Sequence, residues 1–346
     1  MRVLVTGATG FLGRTVARRL AARGHALRVL ARPSSRLEGL PDGFEVAAGD
    51  VTDALSVRAA AEGCAAVVHM AALVKIWVPE PELFEAVNVG GLENVLAAAR
   101  AAGARLVYTS SFIALGPSGP GALDASRPHP GPPFRNAYER TKARADARAR
   151  EAAAEGQDVV TLYPGVIYGP GEMTEGNIVA RMIADHLSGR LPALVGPGDR
   201  RWSYAFVEDV AEGHVLALEK GRPGDRFVLG GENATLARLF GLVHEITAAA
   251  PPRWRIPYGI ASGIGRAQWL WAELTGQPPQ LTHGEVGVFR EEWACDSGRA
   301  EQQLGYAVRT LAEGLRETIR WLYDTGQAPR PKGASAPGDR AARGAA

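Results

Sequence analysis

The stretch "RVLVTGATGFLG", residues 2–13, limits the possible folds of this chain more than any other segment. A short apolar run reads as a buried strand, and glycines at 7, 10 and 13 follow at intervals of three before a helical pattern begins. A turn without side chains lets backbone amides close on an anion at the start of a helix. Gly13 would also allow that helix to approach its strand closely, while Thr9, Phe11 and Leu12 occupy the positions between the glycines. The spacing Gly-x-x-Gly-x-x-Gly differs slightly from the Gly-x-Gly-x-x-Gly pattern that cradles a dinucleotide pyrophosphate. A chain with 42 glycines can also form plain glycine turns. What favours a pyrophosphate site is the position of this turn, between a first strand and a first helix.

The same alternation continues downstream. "ALRVLAR" (26–32), "FEVAAGD" (44–50), "AAVVHMAA" (65–72) and "RLVYTSS" (105–111) read as further buried strands, with helical patterns between them that include 84–103. A helix over about 136–155 and the strand "DVVTLYPGVIYGP" follow. The expected fold is α/β, a doubly wound parallel sheet, with residues 1–170 as a dinucleotide-binding domain. Residues 171–325 are expected to form mainly a smaller substrate-binding α/β lobe, with elements returning to the sheet. Within it, "IPYGIASGIGRAQWLWAEL" is apolar enough to predict a largely buried helix. Residues 326–346 lack periodicity and large apolar side chains, which predicts a disordered tail.

Bulk properties exclude several classes. A chain of 346 residues with 46% hydrophobic and 22% charged side chains is expected to be globular. A net charge of +2 gives no reason to expect a nucleic-acid or membrane partner, and no run is long enough for a spanning helix. Cys64 and Cys295 alone support neither a disulfide framework nor a metal site. The chain opens directly on a strand, so the cytoplasm is the expected compartment.

Only four of the 39 basic side chains are lysines: Lys75, Lys142, Lys220 and Lys332. One of them lies in "NAYERTK" (136–142), four places after Tyr138 and so on the same helical face. A phenol has an ordinary pKa near 10, too high for ready proton exchange at neutral pH. A neighbouring ammonium would lower it, and a lysine could also bond ribose hydroxyls. Thr109, Ser110 and Ser111 stand at the end of the fifth strand, where doubly wound sheets bind ligands. Ser111 is the expected hydroxyl partner of Tyr138, with Ser110 in reserve. Asn88 could hold a relay water or serve helix packing. After the second strand, where an acid would bond a ribose 2′-hydroxyl, the chain has Arg32 followed by Ser34, Ser35 and Arg36. A guanidinium there suits a 2′-phosphate, so NADP is the expected cofactor, with NAD as second choice.

Together, "TGATGFLG", "GDVTD" (49–53), "HMAA" (69–72), "NVGG" (88–91), "YTSS" (108–111), "YERTK" (138–142), "YPGVIYGPG" (163–171), "FVEDVAEGH" (206–214) and "DSGRAEQQLGY" (296–306) resemble the extended short-chain dehydrogenase/reductase superfamily, over roughly residues 1–325. The resemblance implies that Asp50 and Val51 flank the adenine, Ala71 and Ala72 line the cofactor cleft, and Pro164 and Gly165 meet the nicotinamide carboxamide. "ALVKIWVPEPE" (72–82) and "LGGENATLARLF" (229–240) look similar to dihydroflavonol-reductase-like and hopanoid-associated sugar-epimerase-like members. Phe112 and Ile113 replace the Asp-Glu pair of dehydratase members, and Val166 replaces an asparagine of sugar-nucleotide epimerases. Arg200 or Arg201 remains a candidate diphosphate clamp.

The expected activity is interconversion of a carbonyl and an alcohol on a small, hydrophobic substrate. Tyr138 would be the acid and base, Ser111 the carbonyl-orienting group and Lys142 the tuner. Two alternatives stay open, a sugar or sugar-nucleotide epimerase with tightly bound cofactor and a non-catalytic NADP-sensing protein. Trp77, Phe134, Trp202, Tyr204, Trp269 and Trp271 are candidates for an apolar pocket. The helices at 84–103 and 136–155 are compatible with a homodimer through a four-helix bundle.

Overall fold

Runs of Val, Leu and Ala that alternate with helical segments have to bury both faces of the strands they form. The computed structural model of the protein describes residues 1–330 and shows how this is done. The strands of the first half are β1 (Arg2–Thr6), β2 (Ala26–Ala31), β3 (Glu45–Ala48), β4 (Ala66–His69), β5 (Arg105–Thr109) and β6 (Val159–Pro164). Those of the second are β7 (Val166–Tyr168), β8 (Leu194–Val195), β9 (Arg201–Phe206), β10 (Arg226–Leu229), β11 (Glu232–Thr235) and β12 (Arg255–Ile256). Seven of them form one parallel sheet in the order β10-β6-β5-β4-β1-β2-β3, so the late strand β10 extends the sheet beside β6. Strands β11-β9-β7 and β12-β8 form two smaller sheets.

The helices are α1 (Phe11–Ala22), α2 (Ala54–Ala61), α3 (Glu82–Glu85), α4 (Gly91–Ala102), α5 (Ala137–Ala154) and α6 (Ile178–Leu187). After them come α7 (Val207–Lys220), α8 (Leu236–Thr247), α9 (Tyr258–Thr275), α10 (His283–Phe289), α11 (Gly298–Leu304) and α12 (Leu311–Asp324). One sheet face packs against α1, α7 and α11 through residues such as Val16, Val215 and Leu304. The other packs against α2, α4 and α5 through Val57, Val95 and Ala149. A third cluster joins Ile113 and Tyr163 to Tyr168, Phe206, Phe240 and Leu315, so it draws on both halves of the chain. Strand order reverses between β1 and β4, which opens a cleft at the C-terminal edge of the sheet.

Three features depart from the sequence-based expectation. The helix predicted over 84–103 is broken by a π-helical turn at Ala86–Gly90 between α3 and α4. That turn aims Asn88 inward, where its Oδ1 accepts from Leu73 N at 2.7 Å and its Nδ2 donates to Thr141 Oγ1 at 3.0 Å. The predicted buried helix, α9, is instead largely exposed. Its inward stripe is only Ala261, Gly265 and Ala272, and a Cβ at Gly265 would stand 2.6 Å from His283 N. Small residues let the backbones meet, and the larger apolar side chains are left facing outward. The expected tail begins as packed chain, since Gln327 N and Ala328 N bond Leu322 O and Ala328 is buried. The rest of that segment, 331–346, lies outside the described residues.

The start of α5 is anchored unusually firmly. Asn136 Oδ1 caps it by accepting from Glu139 N at 2.8 Å. Glu139 itself is fully buried and accepts from Arg135 N at 2.6 Å and Arg135 Nη1 at 2.7 Å, with His129 Nε2 at 3.1 Å. Arg135 also reaches Glu291 at 2.9 Å and lies over the Trp293 ring, which ties this turn to the second lobe. Burial would raise the Glu139 carboxyl, but the His129 and Arg135 partners outweigh it and hold the group below the ordinary range. Replacing Glu139 with alanine leaves a guanidinium and an amide without their buried acceptor. We expect Glu139→Ala to lose about 3–5 kcal/mol in denaturant unfolding, and a loss under 1 kcal/mol would show that this anchor is dispensable.

Candidate active site

A cavity of about 930 Å³ runs along the cleft at the C-terminal edge of the sheet. At one end the chain turns sharply from β1 into α1. Gly7 has φ +74°, and a Cβ on it would stand 2.6 Å from Ala71 N. At Gly13 a Cβ would stand 1.9 Å from the Gly7 carbonyl oxygen, so any side chain there would separate strand from helix. Gly10 caps α1 without a side-chain hydrogen bond, and the first turn contains no acid. The helix therefore presents unshielded amides and the positive end of its dipole to the cavity, a fit for a pyrophosphate.

The structure brings the whole predicted cofactor set into the lining of this cavity: Gly7, Thr9, Gly10, Phe11, Leu12 and Gly13 from the turn, Arg32, Asp50, Val51, Ala71, Ala72, Pro164 and Gly165 from the ends of other strands and the segments after them, and Tyr138 and Lys142 from α5. Arg32 stands exposed at the end of β2, with Ser35 beside it in the lining and its Nε 3.9 Å from Asp50 Oδ2. Asp50 also accepts from Thr52 N at 2.9 Å and Thr52 Oγ1 at 2.8 Å, which sets the turn into α2.

Ser111, Tyr138 and Lys142 line the same cavity. Lys142 is buried and donates to Thr109 O at 2.9 Å and Tyr108 Oη at 3.3 Å. Burial pulls its pKa down to about 7, against the attraction of Asp146 one turn on. The Tyr138 phenol is pushed up to about 12 by burial, and the Ser111 hydroxyl draws it partly back. This corrects one expectation. The ammonium faces Thr109 and Tyr108, and the phenol is raised rather than lowered by its protein surroundings. His69 is buried, bonded to Thr6 Oγ1 at 2.7 Å, and driven by burial to about 3, so it stays neutral beneath the cleft.

Of the aromatic candidates, only Trp202 lines the cavity. Tyr204 is buried in the third core cluster and Phe134 packs on His129. Trp77 is buried with its Nε1 bonded to Glu273, while Trp269 and Trp271 are exposed. Arg201 is held by Glu292 and the Pro120 carbonyl, Arg200 lies near Asp199 and Glu292, and neither lines the cavity. The apolar wall comes instead from Phe112, Met173, Ile178, Val288 and Phe289, which sequence reading missed. Glu285 is also part of the lining, its carboxyl raised to about 7 by burial despite the Thr282 amide it accepts from. The Thr282-x-x-Glu285 capping box marks the start of α10 in the sequence, but nothing in it points to the cavity. Among the described residues, no group of three or more His, Cys, Asp or Glu side chains is placed to hold a metal ion.

The depressed lysine has a measurable consequence. Lys142 falls from an ordinary 10.5 to about 7 in the fold, so between those values the unfolded chain binds more protons and stability rises with pH. Replacing it with methionine removes that contribution. From about pH 7.5 to 9.5 the wild type should gain on the order of 2 kcal/mol relative to Lys142→Met in urea unfolding. Parallel pH profiles for the two proteins would exclude a buried, depressed amine.

The sequence profile of the NAD dependent epimerase/dehydratase family matches residues 3–230. A Synechocystis protein named as a dihydroflavonol 4-reductase is 32% identical over 93% of this chain and 94% of its own length. The sterol demethylase protein B of Methylococcus capsulatus is 33% identical over 94% of this chain and 99% of its own. A crystal structure titled gox2253 superposes with a TM-score of 0.80 at 33% identity, covering 94% of this chain and 99% of that one. The chain belongs to the NAD-dependent epimerase/dehydratase family and is an NAD(P)-dependent oxidoreductase of the extended short-chain dehydrogenase/reductase type.

Proposed function

We propose that this enzyme reduces a ketone or aldehyde carbon on a small apolar substrate, with NADPH as the preferred reductant. What supports the reading is that Ser111, Tyr138 and Lys142 share the lining of one cavity with the glycine turn and with Phe112, Met173, Ile178, Val288 and Phe289. When bound, the dinucleotide supplies a hydride to the carbonyl carbon. Ser111 orients and polarises the carbonyl oxygen, and Tyr138 donates its phenolic proton to that oxygen. A phenol raised to about 12 holds its proton firmly at neutral pH, as a donor must before the reaction. The charge left on the phenolate is then opposed by the Lys142 ammonium, one helical turn away on α5.

Phe112, Trp202, Val288 and Phe289 keep water from the oxygen and give the substrate an apolar seat. Engagement of Arg200 and Arg201 with acidic partners weighs against a diphosphate clamp at that place. The names of the two relatives, one a reductase and one a sterol-processing protein, agree with an apolar substrate. Arg32 and Ser35 are the groups in this chain suited to a ribose 2′-phosphate.

Screening apolar ketones and aldehydes against NADPH consumption, with NADP⁺ measured beside the alcohol, tests the reaction. Tyr138→Phe should lose about 10²–10⁴-fold in kcat while binding NADPH within a few-fold of wild type. Full turnover in that variant, or absence of free NADP⁺ during turnover, would overturn simple reduction. Arg32→Glu should lower kcat/KM for NADPH by about 10–100-fold with little change for NADH. An equal effect on both cofactors would remove Arg32 from the 2′-phosphate role.

A further inference from the structure

The exposed side of α9 is continuous and apolar. Ile260, Ile264, Ala267, Trp271 and Leu274 recur every three or four residues, with Leu270 beside them, along one helical stripe about 21 Å long. Leu274 is 75% exposed, Trp271 60% and Ile260 59%, values far from those of a core-facing helix. Just before the helix, Trp254 is 76% exposed between the exposed Arg253 and Arg255. No helix among the described residues is long and apolar enough to cross a membrane, α9 included.

Charge around the stripe is one-sided. Over residues 253–290 the charged side chains are Arg253, Arg255, Arg266, Glu273, Glu285 and Arg290. Glu285 belongs to the cavity wall, and Glu273 accepts from Trp77 Nε1 at 2.8 Å. The four arginines form no ion pair among the described residues and stand exposed. A two-fold contact between copies would set this positive rim against itself. Phosphate headgroups complement it, while tryptophans and aliphatic side chains suit the boundary just beneath them.

We propose that α9 and the Arg253–Arg255 loop rest on an anionic lipid surface, with the apolar stripe in the headgroup boundary and the arginines among the phosphates. The attachment is interfacial and does not depend on the catalytic reading. It has a bearing on access, because α9 packs on α10, whose Val288 and Phe289 line the cavity. Its Glu273 is bonded to Trp77, in the loop that follows the lining residues Leu73–Ile76. Helix α9 therefore touches one helix that lines the cavity and a loop that adjoins its lining.

Flotation of the full chain with phosphatidylcholine vesicles, with and without about 30% phosphatidylglycerol, tests the proposal. The protein should float with anionic vesicles, and brominated lipid should quench its tryptophan fluorescence. The triple variant Leu270→Ser, Trp271→Ser, Leu274→Ser should lower partitioning at least about tenfold. The pair Arg253→Gln, Arg255→Gln should lower it on anionic vesicles and leave neutral ones unchanged. None of these residues lines the cavity, and an unchanged far-ultraviolet circular dichroism spectrum and urea midpoint in each variant verify its fold. No flotation, or flotation unaffected by either variant, would overturn the proposal. So would a wild-type dimer that the triple variant makes monomeric without any vesicle binding, because the stripe would then be a subunit contact.

Discussion

An amine withdrawn from water governs the centre of this molecule. Lys142 is buried at the end of β5, where only a carbonyl and a phenol oxygen receive its hydrogens. Such a group is costly unless it is neutral or opposed by charge, and the protein supplies only the distant help of Asp146. Asp146 is itself committed to Arg150 and Tyr163 at 2.6 Å each. A charge held so far from water interacts strongly with any opposite charge brought near it, because little solvent screens the pair.

That arrangement depends on two very different anchors. One is close backbone contact, in which Gly7 and Gly13 bring β1, α1 and the segment after β4 together without side chains between them. The other is a buried polar knot, with Glu139 binding the first turn of α5 to Arg135, His129 and, through Arg135, the second lobe. The first closes the turn between β1 and α1, and the second fixes the start of α5, the helix that carries Tyr138.

How legible all this was depended on distance along the chain. The glycine turn and the Tyr138–Lys142 spacing are local patterns, so a strand, a turn and a helix face could be read directly. The apolar lining could not, because Trp202 on β9 and Val288 and Phe289 on α10 reach the same cavity as Ser111 only through tertiary packing. Direction was equally hidden. Spacing puts Lys142 beside Tyr138, but the carbonyl of Thr109 decides where its ammonium points. On α9 the pattern held two stripes, one of small residues and one of large. Apolar content alone suggested burial of the large one, whereas backbone approach at Gly265 selected the small one.

Asn88 links the loop after β4 to α5 with a single amide. It holds the backbone of Leu73 by both its N–H and its carbonyl, and with the same amide group reaches Thr141, between Tyr138 and Lys142. An outward swing of the loop would break bonds whose other end sits on α5. A stretch of the cavity lining and the helix that carries Tyr138 and Lys142 thus hang on one side chain, and neither can shift without straining the other.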